Sequence, residues 1–387
     1  MQKLRIGIMG TRGIPNRYGG FEQFATYLSV GLCQRGHDVF VYSSGRHPYQ
    51  EDQWNGVHII HCLDPEKSIG TAGQFIYDLN CINDARRRDF DVLLHLGYTS
   101  DSVWHWRWPR HAINLVNIDG MEWMRSKYNK PTRLFLKWAE ALAARHAQVL
   151  IADSPEMQQH FWNRYGKKPV YIPYGAEIFT ETDSSILHHY DLQPGQYFLL
   201  VSRMEPENNI EMILQGYLAS GHPFPMQVVG NVHNRFGRYL SGKYPMHEIK
   251  FRDSIYDQRV LNNLRHYSTR YFHGHSVGGT NPSLLEAMAC GCSIAAHDNV
   301  FNKAVLQNGA DYFSNEGEVC EIINHGNECD KEIRREKNIQ RIRTVYDLER
   351  NIEEYEQLML QAFEEKNHRN APSRSTVIAG QDYRIRT

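Results

Sequence analysis

The sequence lacks any apolar run that could cross a membrane. A membrane-spanning helix needs about 20 consecutive apolar residues, whereas the hydrophobic residues, 41% of the 387, occur only in short runs. The N-terminus enters one such short run and shows no signal-peptide core followed by a cleavage site. We therefore expect a cytoplasmic protein without a membrane span.

Cysteine motifs and an excess of charge are also missing. The 7 cysteines include no Cys-x-x-Cys motif, and the closest pair, Cys290 and Cys292, has no companion ligands at zinc spacing. Scattered thiols in odd number suit a reducing cytosol. The formal net charge is -1, so no excess of basic residues points to nucleic acid as a partner. The sequence therefore disfavours a disulfide scaffold, a zinc module and a nucleic-acid-binding protein.

What the sequence does have is a regular alternation of strand-like and helix-like segments. In the first half, apolar residues recur at helical spacing in the segments 21–32 and 75–87. Apolar strand candidates flank these segments, at 4–9, 39–42, 57–61, 92–96, 113–118, 149–152 and 170–172. A polar, turn-rich segment at 177–196 reads as a linker. A second series follows, with strands at 197–201, 226–229, 249–251, 270–272 and 293–296 and helices at 209–219 and 257–266. This pattern predicts an α/β protein with parallel sheets covered on both faces.

The predicted domains follow from this alternation. They are an N-terminal Rossmann-like domain at 1–178, a second Rossmann-like domain at 196–330, charged C-terminal helices at 331–366 and a polar tail at 367–387. The apolar positions within 332–365 form at least one seam for packing. We expect these helices to pack back towards the N-terminal domain.

A glycine-rich loop, residues 10–20, lies between the first strand and the first helix. In an open α/β sheet, ligands bind beyond the carboxyl ends of the strands. Gly19 and Gly20 allow close approach of the backbone at a helix start, where free N–H groups favour anions. The competing interpretation is a tight crossover turn.

A nicotinamide-binding fold is disfavoured by the same loop. The glycine spacing is Gly7-x-x-Gly10-x-x-Gly13, not G-x-G-x-x-G. The second strand candidate ends in two serines, without the acidic residue that would bind an adenosine ribose.

The most informative segment runs from residue 273 to 291. Asn281 is a good N-cap, and the glycine-rich residues before it would place backbone N–H groups at a helix N-terminus, which suits a diphosphate. Glu286, about one turn further on, can accept hydrogen bonds from ribose or sugar hydroxyls; it is equally consistent with a first-turn dipole residue. The donor-binding candidates here are His273, Gly278, Gly279, Thr280, Asn281 and Glu286.

Two further loops follow strands of the second series. Arg203 stands at a strand end, where its forked guanidinium suits diphosphate oxygens, and Asn208 follows in the same loop. Ile255 and Tyr256 follow the next strand but one, where backbone and an aromatic ring suit a nucleobase. We expect these loops to converge on one crevice.

These motifs resemble those of the retaining, GT-B-fold glycosyltransferases of family 4, over nearly the whole chain. The segments at 11–22, 204–209 and 278–287 resemble a bacterial subgroup that includes rhamnosyltransferases of capsule, O-antigen and cell-wall polysaccharide assembly. The resemblance implies two domains facing each other across a cleft, a nucleotide-diphosphate sugar as donor substrate, no cofactor and no metal. It also implies that the first domain binds the acceptor.

The sequence departs from the family pattern at two positions. Family 4 usually carries two glutamates with about seven residues between them, and the first falls at Gly278. The family's diphosphate lysine falls at Asn208. Arg203 and the 278–281 backbone would then hold more of the diphosphate charge. A 6-deoxy sugar such as rhamnose, with fewer hydroxyls, fits the missing glutamate, and dTDP-rhamnose is the donor that we expect from the resemblance.

The catalytic candidates follow the strand at 113–118. The resemblance places a catalytic or sugar-contacting residue here, and we assign Asp119, with Glu122 and Arg125 as neighbours; the alternative is that Asp119 and Gly120 form a turn. Residues 89–91 spell Asp-x-Asp, but they precede a strand, where they fit the end of a helix better than a metal site. His273 and His275 are too few for zinc.

Residues 104–110 and 130–138 are rich in aromatic and basic side chains. Such a surface suits contact with the inner membrane from its cytoplasmic face, but tryptophans in the core and a solvated basic face explain it equally well. With membrane contact, the expected acceptor is a saccharide linked to polyprenyl diphosphate. A sugar-nucleotide epimerase and a non-catalytic nucleotide-sugar-binding protein remain as alternatives.

Overall fold

The computed structural model describes residues 2–118, 120–125, 128–325 and 328–370. The first half of the chain forms an eight-stranded sheet with the order β3-β4-β2-β1-β5-β6-β7-β8, parallel except for the β3–β4 pair. Its strands are β1 Arg5–Met9, β2 Asp38–Ser44, β3 Gln53–Trp54, β4 Val57–Cys62, β5 Val92–Leu96, β6 Ile113–Asn117, β7 Val149–Ala152 and β8 Val170–Tyr171.

The second half forms a six-stranded parallel sheet with the order β11-β10-β9-β12-β13-β14. Its strands are β9 Phe198–Val201, β10 Met226–Val229, β11 Ile249–Arg252, β12 Arg270–His273, β13 Ile294–His297 and β14 Asp311–Phe313. The central strands are short apolar runs with both faces covered, as in β5, where all five residues are buried. The α/β class and the two parallel sheets predicted from the alternation are confirmed.

Helices cover both sheets. Their bounds are α1 Gly20–Gln34, α2 Glu66–Ile69, α3 Ala72–Ala85, α4 Lys130–His146, α5 Pro155–Tyr165, α6 Ile210–Ser220, α7 Arg235–Lys243, α8 Gln258–His266, α9 Pro282–Ala289, α10 Val300–Leu306, α11 Glu316–His325, α12 Glu328–Thr344 and α13 Leu348–Asn370. Short 3-10 turns occur at Ser102–Arg107, Glu122–Met124, Ser184–Tyr190 and Pro206–Asn208. The sequence analysis did not assign β3, β14, α2, α7, α10 or α11, which are short or weakly periodic.

Two local features add to the sequence analysis. The predicted C-terminal helices are two, because the chain turns between α12 and α13, where Ala176 and Asp347 form an isolated bridge. The predicted linker at 177–196 packs against the second half of the chain. Leu187, in its 3-10 turn, is fully buried, and the Asp183 amide donates to Asn263 of α8 at 2.6 Å.

The last helix, α13, packs against the first half of the chain. A Cβ on Gly31 of α1 would lie 2.6 Å from Ile352 Cδ1, so the two helices touch closely there. The Tyr355 hydroxyl accepts a hydrogen bond from Asn117 at 2.9 Å, and Glu356 pairs with His37 at 2.9 Å inside the core. The chain therefore returns to its first half at its end. The domain bounds stay predictions.

Candidate functional site

The carboxyl ends of the two sheets face each other across a cleft. At one point α1 and α9 begin side by side, and a Cβ on Gly20 would lie 3.4 Å from the Pro282 ring. At another, Gly120, which follows β6, packs on Gly278; a Cβ at Gly120 would lie 2.8 Å from Gly278 Cα. The loops singled out in the sequence therefore meet in space.

The amide predicted to hold a diphosphate already has an anionic partner. Asn281 caps α9 by accepting from the Ser283 amide at 2.9 Å. The Thr280 amide, however, donates to the carboxylate of Asp153 at 2.8 Å, and the Thr280 hydroxyl donates to the Asp153 carbonyl at 2.6 Å. Asp153 is fully buried at the end of β7, and a Cβ on Gly279 would overlap its carboxylate. With the two halves placed in this way, the Thr280 amide is engaged by a protein carboxylate. A role of residues 278–281 in holding a diphosphate stays a prediction.

Glu286 faces a cavity between the two halves. The cavity measures about 260 Å³ and is lined by α1, α8, α9, the start of α13 and the segment after β8. Glu286 also pairs with Arg265, which is 1% exposed, at 2.6 Å. Burial, together with the Glu286 charge, raises the pKa of Tyr27 to about 12. Within the described residues, the side-chain oxygen of Gln258 in the same wall is buried without a hydrogen-bond partner. The cavity thus combines a carboxylate, a phenol and an amide oxygen.

Arg203 and Glu286 have different surroundings. The Arg203 side chain is exposed, and its charge acts on Glu22 of α1. Burial raises the pKa of Glu22, while the Arg12 amide, which donates to its carboxylate at 2.8 Å, opposes that shift. The Arg203 charge is therefore felt at the N-terminal glycine loop, in which Gly19 caps α1 and Gly20 begins it.

Asn208 takes a supporting position rather than the cleft-facing one expected from the family lysine. It is buried, its side-chain amide donates to the Arg203 carbonyl at 2.7 Å, and its oxygen lies 2.8 Å from His275 Nδ1. The NH₂ group and the oxygen of the Asn208 side chain are therefore both engaged by protein groups.

His273, Ile255 and Tyr256 differ in their exposure. His273 is buried at the end of β12, and burial lowers its pKa to about 3. Ile255 and Tyr256 are half-buried, and the cavity wall is formed by the residues that follow them, Gln258 and Arg259. Their roles in donor binding stay predictions.

Of the three catalytic candidates, Asp119 lies outside the described residues. Glu122 and Arg125 are paired, with Glu122 Oε1 2.8 Å from Arg125 Nε. Arg125 also reaches across the cleft to Glu207, at 3.3 Å, and both side chains are buried. Sequence analysis missed Glu207 and Asp153. Glu207 could have been predicted as a site residue, because it lies in the same loop as Arg203. No motif near Asp153 in the sequence indicates that it contacts the site.

Glu140 of α4, also missed, holds the segment that carries these candidates. Its fully buried carboxylate accepts from Trp123 Nε1 at 2.8 Å and from the Tyr165 hydroxyl at 2.7 Å, and it lies 2.9 Å from His160 Nε2. Burial acts to raise the pKa of Glu140, but these hydrogen bonds outweigh it and the pKa is lowered.

The comparisons with known proteins bear on the fold. A family described as a domain of unknown function, DUF1972, matches residues 3–177. A search of proteins with curated function finds no match. Among solved structures, sucrose-phosphate synthase from Thermosynechococcus elongatus is similar, with a TM-score of 0.78 and 14% identity over 94% of this chain and 100% of that one.

Two other structures show the same likeness. HepE of Anabaena, in complex with UDP, has a TM-score of 0.70 and 13% identity over 92% of this chain and 100% of that one. A glycosyltransferase from Rickettsia africae has a TM-score of 0.68 and 14% identity over 94% and 99%. The chain has the GT-B fold. This confirms the fold expected from the resemblance.

Two surface features of this GT-B chain complete the description. Asp91 of the Asp-x-Asp triplet accepts a hydrogen bond from the Arg5 amide at 2.7 Å. Among the described residues, no group of three or more His, Cys, Asp or Glu side chains is arranged to hold a metal.

Of the tryptophans in the basic segments, Trp108 is in the core, whereas Trp106 and Trp138 are more than half exposed. No helix within the described ranges is long and apolar enough to cross a membrane.

Proposed function

We propose that this chain is a glycosyltransferase that moves a sugar from a nucleotide-diphosphate donor to a saccharide acceptor. The observation that carries the proposal is the cleft of the GT-B fold, where loops from both sheets meet beside a cavity containing Glu286. A cavity of about 260 Å³ is somewhat smaller than the roughly 300–1,000 Å³ typical of ligand pockets. It suits a nucleoside, whose ribose hydroxyls would donate to Glu286.

The donor diphosphate would lie between Arg203 and the start of α1. Arg203 is exposed and its charge acts on Glu22 of this helix, whose N-terminal amides at Gly19 and Gly20 favour an anion. HepE, a GT-B relative of known structure, binds UDP and UDP-glucose, which supports a nucleotide-sugar donor here. We take dTDP-rhamnose as the donor, on the resemblance of the motifs.

The proposed reaction retains the configuration at the anomeric carbon. The bond from that carbon to the β-phosphate oxygen breaks, the acceptor oxygen bonds on the same face, and its proton passes to the leaving diphosphate. The protein's part is to position the two substrates and to stabilise the charge on the diphosphate. Asp119, Glu122 and Arg125 are proposed to contact the reacting groups. Metal independence is tested by turnover in excess chelator, which we expect to leave the rate unchanged.

For the acceptor we propose a saccharide linked to polyprenyl diphosphate at the cytoplasmic face of the inner membrane. Trp138 and Leu134 are exposed one turn apart on α4, and Lys130 and Lys137 lie on the same helix. Trp106 is exposed in the 3-10 turn Ser102–Arg107, which packs against α4. Exposed apolar and basic side chains together favour binding to the surface of an anionic bilayer.

Vesicle co-sedimentation tests this surface. We expect binding to vesicles that contain anionic lipid, and a clear loss in the double variant Trp106→Ser, Trp138→Ser. Trp162→Ser, at an exposed tryptophan of α5, is the matched control. Equal binding to neutral and anionic vesicles would contradict the proposal.

The test of the function is a thermal-shift screen over nucleotide sugars, followed by turnover assays. A ligand that binds the folded state raises its unfolding temperature. A glycosyltransferase consumes the donor faster when the correct acceptor is added, an epimerase converts it without acceptor, and a binding protein leaves it intact. Absence of any shift with any nucleotide sugar would refute the proposal.

A further inference from the structure

The loop between β12 and α9 is held rigidly around His275. The His275 carbonyl accepts from the side-chain amides of Asn299, at 3.0 Å, and Asn302, at 2.9 Å. One residue later, the Ser276 amide donates to the Glu207 carbonyl at 3.2 Å. These bonds fix the position of the imidazole before any ligand arrives.

Hydrogen bonding also fixes which nitrogen of His275 carries the proton. The Arg203 carbonyl can only accept, so the group of Asn208 that faces it, at 2.7 Å, is the NH₂. The oxygen of Asn208 therefore faces His275 Nδ1, at 2.8 Å, and Nδ1 must donate. In the neutral ring this leaves Nε2 as an acceptor.

The surroundings keep the ring neutral. Burial is the largest effect lowering the pKa of His275, the charges of His273, Arg125 and Arg203 lower it further, and a hydrogen bond with the Val277 backbone opposes the shift. Among the described residues, Asn208 bonds to Nδ1 and no side chain bonds to Nε2. Because the residue is only partly buried, Nε2 can accept a hydrogen bond from a ligand.

Nε2 lies against Gly278. A Cβ at position 278 would be 2.8 Å from it, and the φ of +151° at Gly278 disfavours a side chain there. The family that this sequence resembles carries a glutamate at the position of Gly278. In this chain the imidazole of His275 fills the space that such a side chain would need.

We propose that His275 contacts the donor sugar, with Nε2 accepting a hydrogen bond from one sugar hydroxyl above Gly278. This rests on the proposed function. A carboxylate has two oxygens and can accept from two neighbouring hydroxyls, whereas neutral Nε2 accepts one hydrogen bond. The site therefore fits a nucleotide-diphosphate hexose that presents a single hydroxyl at this point.

Two variants test the roles of His275 Nδ1 and Nε2 separately. His275→Asn places an amide near Nδ1, so it keeps a donor to Asn208 but has no acceptor at the cleft. His275→Gln reaches the place of Nε2 and keeps an acceptor there. Binding of dTDP and dTDP-rhamnose, and of UDP and UDP-glucose, is measured by calorimetry on the full chain, with unfolding temperatures as the check on folding.

We expect His275→Asn to bind the nucleoside diphosphate as the wild type does and the nucleotide sugar about three- to tenfold more weakly, the loss of one hydrogen bond. His275→Gln should recover part of that loss. Equal weakening for both ligands, or none in either variant, would overturn the role of His275 while leaving the proposed function in place. If the wild type binds none of the four nucleotides, the proposed function and this inference fall together.

Discussion

Asp153→Asn would weaken the contact that closes the α9 loop. The Asp153 carboxylate accepts from the Thr280 amide at 2.8 Å and is fully buried. A hydrogen bond to a charged group contributes about 1.5–3 kcal/mol and a neutral one about 0.5–1.5 kcal/mol. The change therefore removes about 1–1.5 kcal/mol from a contact that a donor diphosphate must displace if it is to reach this amide. It also removes a buried negative charge near an incoming anion.

We expect Asp153→Asn to bind a nucleoside diphosphate roughly five- to tenfold more tightly than the wild type. Calorimetry with dTDP or UDP at fixed ionic strength measures this, since screening changes such interactions. Thr280→Val is the control, because it loses the 2.6 Å hydroxyl bond to the Asp153 carbonyl but keeps the amide contact. Unchanged affinity in folded Asp153→Asn, or an equal gain in Thr280→Val, would refute the idea that the carboxylate competes with the ligand.

Three further expectations concern stability. Arg125→Ala removes the cation beside Glu207, which is 4% exposed, and should lower the free energy of unfolding in urea by about 3–5 kcal/mol. A loss below about 1 kcal/mol would show that the ion pair is screened by solvent. The pKa of Glu140 is lowered in the folded protein, so the ionised side chain stabilises the fold at pH values above the ordinary pKa of 4.5. This stabilisation is lost as the pH falls through the folded-state pKa. In Glu140→Gln, that part of the pH dependence of the free energy of unfolding should disappear. Gly31→Ala places a Cβ 2.6 Å from Ile352 and should cost about 1–3 kcal/mol, and Ile352→Val in the same chain should recover part of it.

Local sequence patterns were sufficient for most strands of the two sheets and for the Asn281 helix cap. Strand β9 is apolar throughout, and β5 is apolar except for His95, because both faces of a parallel sheet are covered. Their bounds could therefore be predicted within a few residues. Asn281 was recognised because a cap acts on the amide two residues later. These signals depend only on neighbours in the chain.

Contacts between residues far apart in sequence could not be predicted in this way. Asp153 meets Thr280 across the cleft from 127 residues away, and within the second half Asn208 turns towards His275 over a separation of 67. Whether a glycine-rich loop is open to an anion depends on what the other half places against it. The motif identified the loop, but only the packing of the two halves shows which of its groups are engaged.

The return of α13 to the first half has a consequence for how the chain matures. Phe24 packs against Tyr355 with ring centroids 5.2 Å apart, and Ile352 covers Gly31. A ribosome that has made only the segment matched by DUF1972, residues 3–177, has not yet supplied these partners. At about 5–20 residues per second, the nascent first half waits on the order of ten seconds or more with this apolar surface uncovered. Fragments that stop before α13 should therefore aggregate or recruit chaperones.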